Sequence, residues 1–218
     1  MNNETLIKFL VIPFTFFKIY LTVFSTLIIE KPLLKTNFLT YNIIKDEKSI
    51  GTINIEMITK NEITKYSFES NAKIKILFYN LQIYDKMDVT FKQNNLQEAK
   101  LYRTRNERVE VNNTTTWHGN YYSLRNKTGD NGTIKEVIPI TTASLYFTEP
   151  INVKTVFSEK FQKIIPIRNI GNKKYKMSLP NGNSVIYNYQ NGICNLIEAE
   201  TEFASIKFIL NTNNLIVK

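Results

Sequence analysis

Beyond residue 36, apolar and polar side chains alternate with a period of two in segment after segment. That pattern suits half-buried strands and gives a helix no continuous face to bury. Ile53, Ile55 and Met57 alternate with Thr52, Asn54 and Glu56. Ala72, Ile74, Ile76 and Phe78 alternate with Lys73 and Lys75, and Met87, Val89 and Phe91 with Lys86, Asp88, Thr90 and Lys92. The same period returns at Tyr175, Met177 and Leu179, and again at Ile206, Phe208 and Leu210. Asn94-Asn95, Gly171-Asn172, Asn181-Gly182 and Asn191-Gly192 punctuate these runs with residues that tolerate positive φ in tight hairpins. The expected fold is all-β, a single curved antiparallel sheet of about ten strands that curls toward a half-barrel or open barrel to bury its apolar face. Residues 36–218 are expected to form one domain. Its longest break is Asn126–Gly132, followed by one short helical turn within Thr141–Pro150 that Thr141 or Thr142 would cap.

The first 35 residues have a different character. From Phe9 to Ile29, 14 of 21 residues are Phe, Leu, Ile or Val and only Lys18 is charged. Such a length matches a hydrophobic helix able to cross a bilayer. On an insertion scale the apolar residues contribute roughly −4 to −8 kcal/mol against about 3 kcal/mol for a central lysine. Residues 1–35 therefore read as a signal peptide or membrane anchor, with no small-residue cleavage site after Ile29. This placement points to the cell envelope, whether periplasmic, secreted or membrane-anchored, with the membrane as the first partner.

The remaining chemistry is sparse. One histidine, His118, and one cysteine, Cys194, rule out an internal disulfide and the usual His/Cys metal cages. Any Ser- or Cys-based nucleophile would have to share that single histidine. No phosphate-cradling glycine loop or nucleophile elbow is present. Asp85 with Asp88, and the row Glu198, Glu200 and Glu202, read as solvated carboxylates. The expectation is a non-enzymatic protein with no cofactor and no metal.

The order of features resembles a bacterial domain family of unknown function found in exported proteins, related in plan to the lipoprotein-carrier half-barrels. The resemblance runs from about Tyr41 to Leu210. It is carried by Tyr41-Asn42-Ile43-Ile44, Ile50-Gly51-Thr52, Ser144-Leu145-Tyr146-Phe147 with Glu149-Pro150, Ile170-Gly171-Asn172, Pro180-Asn181-Gly182 and Tyr187 to Gly192. It implies an exported, curved antiparallel sheet with no catalytic residues to carry over.

Two groups of residues are candidates for binding. Trp117, Tyr121 and Tyr122 before the long break, and Leu145, Tyr146 and Phe147 after it, suit the mouth of a cavity for an apolar, lipid-like ligand. Lys100, Arg103, Arg105 and Arg108 form the densest basic run in a chain of net charge +9, a surface suited to anionic lipid headgroups. Basic residues are otherwise scattered, so nucleic acid is not the expected partner. Two rival readings stand beside the ligand carrier. One is an envelope interaction module with a filled core; the other is a cytoplasmic polyanion-binding protein.

Overall fold

The computed structural model describes residues 34–76, 79–200, 205–212 and 216–217, all within one unit running from Leu33 to Lys218. The expected N-terminal helix lies outside the described residues. Among the described residues, no helix is long and apolar enough to cross a membrane.

The chain opens with a meander of long strands: β1 (Leu34–Lys45), β2 (Lys48–Lys60), β3 (Ile63–Ile76), β4 (Tyr79–Lys92), β5 (Asn95–Arg105) and β6 (Arg108–Trp117). Two short strands follow, β7 (Tyr122–Asn126) and β8 (Gly129–Ile134). After a connection holding a 3-10 turn at Ser144–Tyr146 come β9 (Thr155–Ser158), β10 (Lys163–Asn169), β11 (Lys174–Ser178), β12 (Ser184–Gln190), β13 (Ile193–Glu200), β14 (Ser205–Leu210) and β15 (Ile216–Val217). All pairings between these strands are antiparallel, in the order β8-β7-β6-β5-β4-β3-β2-β1-β14-β13-β12-β11-β10-β9, with β15 also on β1.

The class is as expected, and the count is not. Among the described residues fourteen strands lie on one path where about ten were expected, and β1 starts at Leu34, inside the segment assigned to the leader. The extra strands come from hairpins without glycine. Asp46-Glu47 joins β1 to β2 and Asn106-Glu107 joins β5 to β6, each pair at positive φ. The stretch Asn126–Gly132 is also not a free loop, since it holds the turn and most of β8.

Alternation sets what faces inward. On β3, Tyr66, Phe68, Ser70, Ala72 and Ile74 are buried while the residues between them are exposed. One buried cluster joins Leu39, Tyr41, Ile53, Ile55, Phe68, Val89 and Leu96 of the long strands to Ile138, Ala143 and Phe147. A second joins Leu145 to Val156, Ile165, Ile167, Tyr175, Met177, Tyr187, Tyr189 and Ile197. A single connecting segment therefore supplies side chains to both clusters. Burying a large apolar side chain contributes about 1.5–3 kcal/mol, so this segment is a principal source of stability.

The sheet is open, but its ends approach each other. β6 and β10 are ten strand spacings apart along the path, about 48 Å if it were flat. Yet the buried Gln162, in the turn between β9 and β10, has its Nε2 3.0 Å from the Thr114 carbonyl of β6 and 3.2 Å from the Arg125 carbonyl of β7. Asn113 of β6 donates from Nδ2 to the carbonyls of Glu159 and Lys160 at 2.9 and 2.8 Å. These contacts require the sheet to curl until one end docks on the other through side chains.

Candidate functional site

The concave face is built around the segment from Ile138 to Phe147. Ile138 anchors its start, where its carbonyl accepts from the Leu96 backbone N–H at 3.0 Å and its own N–H donates to the Tyr122 hydroxyl at 3.3 Å. Tyr122, with no exposed surface, donates in turn toward Asn95 Oδ1 at 2.6 Å and the Leu96 carbonyl at 3.0 Å. Further along, Thr142 and Ala143 are held by the buried Glu159. Its carboxylate accepts from the Thr142 hydroxyl and, at 3.2 Å, from the Ala143 N–H. Burial pushes the Glu159 carboxyl above the ordinary carboxylate range.

The 3-10 turn then sets three side chains in different directions. Leu145 is fully buried in the C-terminal cluster. Tyr146 packs edge-on against Tyr41 and Phe68, with ring centroids 5.4 and 5.1 Å apart, and Phe147 packs against Tyr66 at 5.8 Å. Tyr189 donates to the Leu145 carbonyl at 2.7 Å. The expected cap is different in kind: Ala143 occupies the N-cap and makes no side-chain bond, while the Ser144 hydroxyl accepts from the Thr141 N–H at 3.3 Å. Thr142 lies one residue before the N-cap position, and its hydroxyl donates to Glu159.

Of the six aromatic-group candidates, Tyr122, Leu145 and Phe147 are buried and Tyr146 and Trp117 are partly so. Trp117 lies on Tyr122 at 4.6 Å. Tyr121 lies in the turn just before β7, where the bond from the His118 N–H to the Tyr121 carbonyl brings its ring onto His118 at 5.0 Å and 25°. The two halves of the group thus line a packed interior, with Tyr121 alone turned outward.

The basic run is also divided by strand alternation. Lys100 is exposed and paired with Glu98 at 2.8 Å. Arg103 lies on the opposite face of β5, directly across from Asp85 of β4, and grips both carboxylate oxygens, the longer contact being 3.0 Å. Arg105 pairs with Glu110 at 2.8 Å, and Arg108 is exposed across from Arg105. Asp85 and Asp88, three apart, fall on opposite faces of β4, so they share no site. Lys160 sits near the Arg103 group, and burial together with that positive neighbour lowers its ammonium from the usual lysine range.

Cys194 is fully buried, its thiol pushed up to about 12 by burial, and so it is an inert packing residue. His118 is the chain's single histidine. Its Nε2 lies 2.9 Å from the Ser123 hydroxyl on the outer face. Among the described residues, no group of three or more His, Cys, Asp or Glu is placed to hold a metal.

A family model described as a domain of unknown function, DUF6134, matches residues 41–211. The chain belongs to the DUF6134 family. No curated protein and no solved structure matches it. The matched span starts and ends at the seam of the sheet, because Tyr41 of β1 lies opposite Leu210 of β14. Tyr41 is wholly buried, and its hydroxyl donates to the Cys194 carbonyl at 2.5 Å. Burial, with smaller contributions from Cys194 and Tyr146, holds that hydroxyl well above the usual tyrosine range. Tyr41→Phe in this DUF6134 domain is expected to cost about 1–2 kcal/mol by urea unfolding, the value of one buried hydrogen bond with little change in volume. A variant as stable as the wild type would show that the bond carries no net stability.

Proposed function

We propose that this chain is a non-enzymatic interaction module of the bacterial cell envelope, held at the membrane by Phe9–Ile29 and working through its outer surface. The observation that carries this reading is the occupation of the concave face by the chain's own residues 138–147. Leu145, Phe147 and Ile138 take the space that an apolar ligand would need in a carrier. The polar ends of that packing are also engaged, with Tyr122 and Tyr189 bonded to backbone carbonyls rather than presented to a ligand. The net charge of +9 favours a place beside anionic lipid headgroups, to which exposed basic side chains such as Arg108 would contribute.

The test is organic extraction and mass spectrometry of the full-length protein purified from cells, with parallel fractionation and intact mass. The expected result is no apolar molecule at stoichiometric amount, in protein recovered from the membrane or the exported fraction. One bound lipid per chain would overturn the filled-module reading and restore the carrier. Full-length protein in the soluble cytoplasmic fraction would remove the envelope placement.

A further inference from the structure

The outer face of β6, β7 and β8 carries a cleft of about 600 Å³, in the range of small-molecule sites. Two rows of side chains cross it. Register places Thr116, Ser123 and Thr133 side by side on three adjacent strands, so three hydroxyls follow one another at roughly the 4.8 Å strand spacing. The next row is Thr114, Arg125 and Asp130. Between the rows β8 holds an extra residue, since Ser123 lies opposite Thr133 but Arg125 opposite Asp130. Gly132, at φ +98° with nothing within 4 Å of where a Cβ would stand, leaves the floor of the cleft open there.

At the far side the β6–β7 turn supplies a flat stack. The His118 N–H donates to the Tyr121 carbonyl at 2.9 Å, which closes the turn and brings the two rings together at 25°. His118 is exposed and tied to Ser123, so the stack and the hydroxyl row form one continuous surface.

We infer that this cleft binds a neutral saccharide of one or two rings. Aromatic rings offer a flat apolar face for the carbon side of a sugar ring. Hydroxyls that both donate and accept suit a ligand with both functions on neighbouring atoms. Among the described residues lining the cleft, the charged side chains are Arg125 and Asp130, which pair with each other at 3.3 Å, so the lining offers donors and acceptors in balance and no surplus charge for an anion. The inference goes beyond the module reading and does not depend on whether the interior is filled.

The chain supplies its own reporter at the cleft, because His118 is the single histidine. The experiment titrates the full chain with cellobiose and with N,N′-diacetylchitobiose, using inorganic phosphate as control, and follows the His118 ring resonances. A saturable response to either disaccharide is expected, weakened about tenfold by Ser123→Ala or Arg125→Ala, the scale of one or two lost polar contacts. Both side chains lie on the outer face, so the thermal midpoint of each variant should stay near the wild-type value. No saturable response to either disaccharide, a response that phosphate reproduces, or one that survives both substitutions overturns the inference.

Discussion

Gly51→Ala is expected to lower the stability of the domain by about 3 kcal/mol or more, a cost in the upper range for forced overpacking. The residue sits on β2 opposite Ala72 of β3, beside the irregular pairing of β1 with β2 at Ile43 and Ile44. A Cβ at position 51 would stand 2.0 Å from the Asn71 carbonyl oxygen and 2.7 Å from the Ala72 Cα. Both are backbone atoms of a paired strand, so no side-chain rotation relieves the contact and the strands must separate. Gly182→Ala provides the contrast. There nothing lies within 4 Å, and the penalty is only that of an L-residue at φ +86°, about 1–2 kcal/mol. Urea unfolding of the two variants should rank them in that order. Equal losses would show that the sheet yields at Gly51 without cost.

Glu159→Ala is the second large effect, expected at about 3 kcal/mol because it strands the Thr142 hydroxyl and the Ala143 N–H in a buried site. Its companion Glu159→Gln keeps the shape and an acceptor, and it isolates the charge. Burial raises the folded-state pKa of Glu159 above the unfolded one, so between the two values the native state holds the extra proton. The stabilisation linked to Glu159 is therefore full below about pH 4, the unfolded carboxylate value, and is lost as pH rises through the folded pKa. Wild type minus Glu159→Gln stability should accordingly fall with rising pH over that window. A difference that stays flat would mean the carboxyl titrates alike in both states.

How much of this was legible in the sequence depends on whether the signal was local. The runs around Ile53–Met57, Met87–Phe91 and Tyr175–Leu179 are strands because alternation is visible in the residues themselves. Asn181-Gly182 and Asn191-Gly192 are turns for the same reason. Asp46-Glu47 and Asn106-Glu107 were not readable as turns, since a glutamate at positive φ is held there by the pairing of long strands and not by its own preference. Glu159 lies in Phe157-Ser158-Glu159-Lys160, which reads as a surface turn. Its burial follows from the docking of that turn on Asn113, 46 residues away. The Asp85–Arg103 pair needs the register of β4 on β5, and the cleft needs the register of three strands plus an extra residue in β8. Neither can be derived from composition.

The pairing of β1 with β14 bears on the order in which the chain can fold. Strands β1 to β8 form a meander of neighbours, as do β9 to β14, so each half can assemble from short loops closed early. The seam between them brings together residues such as Tyr41 and Cys194, 153 apart in sequence, and must wait for nearly the whole domain to be synthesised. Until then both β1 and β14 present bare strand edges, the form in which sheet proteins aggregate. A chain of this topology is therefore most vulnerable during its last stage of assembly, and slow completion of its C-terminal strands would lengthen that exposure.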